Sequence, residues 1–264
     1  MPNLKIGKNQ VHYEQVGEGQ DLVLLPTLLA EISVYDEVID ELSNQFSVTR
    51  INFPGFGSTT GPIDQTIESY ADLIAATMET LSLPTETNLI GNGFGGFVAG
   101  TLAINHGDII DKLVLVDTGP GFPEAAKEPL RILARKAKGE GMISVLDAAI
   151  KRMFPEDFIA LNPSIVERRR SHLVEADPGL FANAALSLNS LDNRPKLGEI
   201  DNPTLIIVGL ADAATPPALS YELHAGISGS DLKELPGVGH CPQLQNPSAF
   251  LETVIPFLCS KAKI

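Results

Sequence analysis

Residues 89–100 read LIGNGFGGFVAG. An apolar run ends at Ile90, then Gly91, Asn92, Gly93, Phe94 and Gly95 follow before apolar residues resume at helical spacing. The stretch predicts a strand over 87–90, a tight turn and a helix over 94–105. A strand that turns at once into a helix drives its apex residue toward unusual backbone angles, and flanking glycines make room for it. The apex here is Gly93. A side chain at that point would stand at a helix N-terminus, above the carboxyl ends of the strands. Glycine puts nothing there.

Working outward, strands are expected at 10–16, 21–25, 46–51, 112–117, 204–208 and 231–235, and helices at 33–43, 67–81, 216–225 and 247–258. The alternation describes βα units feeding a mostly parallel sheet flanked by helices, an α/β fold. After Asp117 it stops. Residues 119–199 read as short helices broken at Gly139, Gly141, Pro155, Pro163 and Pro178. That length is too great for an ordinary connection. The expected organisation is a core of residues 1–118 and 200–264 with an inserted helical cap at 119–199.

The 264 residues, 44% hydrophobic, suffice for one large core. The formal charge of -14 argues against nucleic acid or an anionic membrane as partner. It is uneven: residues 127–175 carry ten Lys/Arg against seven Asp/Glu, leaving nine Lys/Arg against 26 Asp/Glu elsewhere. That bias leaves room for a small anionic ligand. No N-terminal apolar segment of signal length and no run of about 18 apolar residues occurs, so a soluble cytoplasmic protein is expected. Cys241 and Cys259 have no metal-site spacing, and the histidines form no ligand pattern, so no metal is expected. Gly91, Gly93 and Gly96 satisfy GxGxxG, but the motif is not at the first βα turn. Asp111 also precedes its strand rather than ending it, so no nucleotide cofactor is expected.

Two further residues sit in ordered contexts. Asp212 lies in GLADAATPP (209–217), just beyond a strand and before a proline-started helix. His240 lies in PGVGHCP (236–242), a loop shaped by glycine and proline after the next strand. A carboxylate on one imidazole nitrogen fixes the tautomer and leaves the other nitrogen free to take a proton. Asp117, ending the strand after the elbow helix, is an alternative acid. Cys241 is a rival nucleophile by chemistry, but adjacency to His240 does not bring its sulfur to the elbow.

With these residues in place, the chain resembles the α/β-hydrolase family over nearly its whole length. The resemblance rests on LVLLPTL (22–28), INFPGFGST (51–59), LIGNGFGG (89–96), GLADAATPP and LPGVGHCPQLQNPSAF (235–250). It implies that Gly93 occupies the nucleophile position, that Asp212 is the acid and His240 the base, and that the N–H groups of Phe94 and Leu28 form an oxyanion hole. It implies a lid over the site and no cofactor. Two departures stand out: the nucleophile's side chain is absent, and the usual His-Gly of the oxyanion loop reads Pro26-Thr27.

Three functional expectations follow. The first is an enzyme acting on an ester, lactone or thioester through the His/Asp dyad and the oxyanion hole without serine. Water would be activated in the space freed at Gly93. The second is a non-catalytic protein binding a small ligand in the capped crevice. The third is an esterase inactivated by replacement of serine at 93. The chain carries no feature that sets its oligomeric state.

Overall fold

The computed structural model describes residues 3–260. Eight strands are seen among them: β1 (Asn3–Ile6), β2 (Asn9–Val16), β3 (Gln20–Leu25), β4 (Phe46–Ile51), β5 (Thr87–Asn92), β6 (Ile110–Val116), β7 (Thr204–Gly209) and β8 (Asp231–Leu235). They form one sheet in the order β1-β2-β4-β3-β5-β6-β7-β8. β1, β2 and β4 pair antiparallel, and every pairing from β4 to β8 is parallel. The central strands have the continuous apolar character of strands covered on both faces; all six residues of β5 are buried.

Eleven α-helices accompany the described sheet. The core carries α1 (Ile39–Ser43), α2 (Ile67–Thr80) and α3 (Phe94–His106). The segment between β6 and β7 carries α4 (Glu128–Glu140), α5 (Leu146–Met153), α6 (Glu156–Leu161), α7 (Pro163–Leu173) and α8 (Pro178–Ser187). The core resumes with α9 (Pro217–Gly226), α10 (Pro242–Gln245) and α11 (Pro247–Cys259). Residues 94–103 of α3 are all buried, because this helix lies between β5, β6 and α2. The five helices between β6 and β7 make a cap-like insertion. No described helix is long and apolar enough to cross a membrane.

The register explains where chemistry can assemble. Leu25 pairs with Gly91, Asn92 with Val116, Val116 with Ile207 and Gly209 with Leu235, so the carboxyl ends of five strands are level. The loops leaving them, around residues 26–30, 93, 117, 210–216 and 236–241, share one edge of the sheet. Such an edge is where open α/β sheets gather ligands.

The single helix expected over 33–43 does not form. A 3₁₀ turn (Ile32–Tyr35) and the short α1 replace it, with Val38 between them at φ -124° and ψ -6°. Local pattern gives way to tertiary bonds. The Glu31 carboxylate accepts from Ser33 N–H at 2.7 Å, Asn52 Oδ1 accepts from Ile32 N–H at 3.0 Å, and Arg50 binds Asp36 at 2.6 Å. The segment is thereby drawn onto the end of β4. β1, half-exposed and without an apolar run, is an addition to the expected strands.

Candidate active site

Gly93 sits at the elbow with φ 54° and ψ -114°, outside the regions open to side chains without strain. Its N–H donates to Val116 O at 2.9 Å, and Thr118 Oγ1 donates to its carbonyl at 2.9 Å. The turn is thus held from the neighbouring strand β6 and the loop that follows it. A Cβ on Gly91 would press to 2.6 Å against the backbone of Gly95, so close return of the helix over the strand requires glycine there.

Phe94 opens α3, and its ring packs edge-on against Phe53 (centroids 5.0 Å) and Tyr70 (5.1 Å). These contacts anchor the helix start, each contributing about 0.5–1.5 kcal/mol beyond burial. Burial pushes the Tyr70 hydroxyl up to about 12, slightly relieved by Asn183. A helix's first N–H groups have no intrahelical acceptor, and that of Phe94 stands at the positive end of the helix dipole. Leu28 lies on the facing loop. That loop is pinned by Gly95 N–H donating to Pro26 O at 3.0 Å and Ala30 N–H donating to Thr27 O at 3.3 Å.

Asp212 and His240 meet at this edge. His240 Nδ1 lies 2.9 Å from Asp212 Oδ2, and both side chains are almost wholly buried. Asp212 Oδ1 accepts from the N–H groups of Ala214 (2.7 Å) and Thr215 (3.1 Å), and Thr215 Oγ1 lies 2.6 Å from Oδ2. A carboxylate so supplied with donors is oriented as well as stabilised. Because it accepts, the proton of His240 sits on Nδ1 and Nε2 presents its lone pair.

Asp117 is not in this pair. Its positive φ of 47° turns the carboxyl toward β7, where Oδ1 accepts from Gly209 N–H at 2.7 Å. Burial, and then the neighbouring Asp212, push its pKa well above the usual carboxylate range. Cys241 is fully buried, with Sγ 3.8 Å from Asn92 Oδ1, and burial raises its thiol well above the ordinary value. A thiol so placed is a poor source of thiolate.

The space at Gly93 is not free for water, contrary to expectation. His240 Nε2 is engaged at 2.9 Å by Thr27 Oγ1. A Cβ built on Gly93 would lie 2.5 Å from Nε2 and closer still to Thr27 Oγ1. Thr27 was legible only as a departure from the family pattern in the loop after β3; its contact with His240 spans 213 residues of chain.

Above these groups is a cavity of about 30 Å³ lined by Thr27, Leu28, Phe94, Arg152, Thr215 and His240, with apolar residues of core and cap completing it. It holds about one water molecule and is far below the several hundred Å³ of a typical ligand site. Arg152, from α5, brings the basic cap segment to the crevice; burial lowers its pKa, against the pull of Asp212. Wider cavities of about 430 and 470 Å³ lie beside His12 and His172 and beside Asp72 and His106, without the dyad. No cluster of three or more potential metal ligands occurs among the described residues.

Known proteins share this arrangement of chain. The pimeloyl-[acyl-carrier protein] methyl ester esterase of Chromobacterium violaceum is 27% identical over 257 residues, covering 94% of this chain and 98% of that protein. The enol-lactonase of Burkholderia xenovorans LB400 superposes with a TM-score of 0.93 at 29% identity, covering 98% of this chain and 100% of the other. A thermophilic esterase from Thermogutta terrifontis, solved with malate bound, gives 0.90 at 26% identity, with 98% of each chain covered. Residues 22–253 match the alpha/beta hydrolase family, and the chain belongs to it.

Proposed function

We propose that the protein hydrolyses a small carbonyl compound, an ester, lactone or thioester, with His240 as general base, Asp212 as its orienting acid and the N–H groups of Phe94 and Leu28 as oxyanion donors. The observation that carries this reading is the buried His240–Asp212 pair at 2.9 Å, aimed into the crevice beside the α3 N-terminus. The likeness to esterases and a lactonase supports the substrate class. His240 accepts a proton from the attacking water and gives it to the leaving group, while positive dipoles meet the developing oxyanion. Because the cavity holds about one water, the cap must part from the core to admit substrate.

A second reading, a non-catalytic ligand-binding protein, is favoured by the same small cavity and by the missing elbow side chain. Acid release from an ester, lactone and thioester panel, with the protein and its His240→Ala variant, separates the two. Turnover that drops about 100-fold or more in the variant supports the hydrolase. Saturable binding of a panel compound without product supports the binding protein, and turnover indifferent to His240 sinks the dyad mechanism.

A further inference from the structure

We infer that Thr27 is the nucleophile, and that the catalytic hydroxyl of this chain stands on the oxyanion loop rather than on the elbow. The inference rests on the hydrolase reading and puts a side chain in place of water as the first attacking group. Thr27 Oγ1 lies 2.9 Å from His240 Nε2, and His240 Nδ1 lies 2.9 Å from Asp212 Oδ2. Hydroxyl, imidazole and carboxylate are therefore in line, each within hydrogen-bond reach of the next. This is the relation a nucleophile, its base and the orienting acid require.

The position of Oγ1 strengthens the point. A Cβ built on Gly93 would clash with it, so the hydroxyl stands beside the elbow's apex. Gly93 is then not only a loss. Any side chain there would expel the Thr27 hydroxyl from His240. The Thr27 backbone is held by the bonds of its neighbours: Pro26 O takes the Gly95 N–H, and Thr27 O takes the Ala30 N–H. A β-branched side chain on a pinned backbone has few rotamers, which suits a positioned nucleophile. Thr27 is 1% exposed, but it lines the crevice together with Leu28, Phe94 and His240.

The chemistry balances with these groups alone. Thr27 Oγ1 bonds to the carbonyl carbon while its proton passes to His240 Nε2. The carbonyl π pair moves to oxygen, facing the N–H of Leu28, next in the chain, and that of Phe94. Collapse breaks the bond to the leaving alkoxide, which takes the proton from Nε2. Water then attacks the acyl-threonine, again giving its proton to Nε2. The second collapse breaks the Oγ1–acyl bond and returns the proton to Thr27.

The test uses the full chain, a p-nitrophenyl ester panel and an ethyl p-nitrophenyl alkylphosphonate as a label. The label leaves phosphorus on the attacking oxygen and releases p-nitrophenolate. We expect one adduct per chain, mapped by peptide mass spectrometry to Thr27 and absent in Thr27→Val. We expect turnover to fall about 1,000-fold or more in Thr27→Val and to stay within about tenfold in Thr27→Ser. An adduct at another residue, or none on the folded protein, overturns the assignment. So does turnover that survives Thr27→Val but is lost in His240→Ala, which leaves the hydrolase reading standing with water as nucleophile. Turnover unchanged in His240→Ala removes both. Should Thr27→Val fail to fold, the label on the unaltered chain still decides.

Discussion

The side-chain amide of Asn92 donates to the main-chain carbonyl of His240 at 2.9 Å, joining the residue before the elbow apex to the histidine loop across the sheet edge. The same nitrogen lies 3.2 Å from Val116 O, and Asn92 Oδ1 accepts from Gln243 Nε2 at 3.0 Å. Asn92 is fully buried. Asn92→Ala would strand the His240 carbonyl and Gln243 Nε2 without water, at about 1–3 kcal/mol for each orphaned group, while Val116 O keeps the Gly93 N–H. The expected result is a loss of roughly 2–4 kcal/mol in urea unfolding. A loss below about 0.5 kcal/mol would show that the bridge does not hold the histidine loop.

Gly93→Ser is expected not to restore a serine hydrolase in this chain. The new Cβ meets both His240 Nε2 and Thr27 Oγ1, and the elbow angles strain any side chain. We expect a stability loss of about 1–3 kcal/mol and no gain in ester turnover. Thermal melts and steady-state rates check both parts. A gain of tenfold or more would support the reading of an esterase that has lost its serine.

Arg152 forms no ion pair among the described residues, yet it lines the crevice beside His240. A substrate carrying a carboxylate away from its scissile bond would meet this charge. For Arg152→Gln we expect KM to rise about tenfold or more for such anionic esters while kcat changes little, and neutral esters to be almost unaffected. Equal effects on anionic and neutral substrates would assign Arg152 to packing.

Asp117 gives a pH signature. Burial, reinforced by Asp212, raises its folded-state pKa above the unfolded value of about 3.9. The folded chain then binds more protons across the interval, so this group's contribution is most favourable below about pH 3.9. It declines as pH rises toward the raised folded value. Asp117→Asn removes the decline and keeps an acceptor for Gly209 N–H, and asparagine tolerates the positive φ. The melting temperature of the variant relative to the unaltered chain should increase from pH 4 to pH 8. A constant difference would show that Asp117 does not titrate abnormally.

Much of this fold is written in local pattern. Strand β5, the glycine turn and α3 are legible because an apolar run, a glycine frame and a helical period meet within twenty residues. Asp212 and His240 are legible as residues placed just beyond strands, since parallel strands send their following loops to one edge. The segment 33–43 misleads because Val34, Val38 and Leu42 fit a helix, while Asn52 and Arg50 pull the first turn elsewhere. Thr27 escapes for a different reason. Its meaning lies in one contact with a residue 213 positions away, which no local period encodes.

One main-chain bond constrains how the molecule can open. His240 N–H donates to the carbonyl of Met153 at 2.9 Å, and Met153 ends α5 in the cap. A cap that lifted away whole would pull on the backbone of His240 and disturb its alignment with Asp212. Entry that preserves the alignment therefore keeps the Met153 end of α5 in place against the His240 loop.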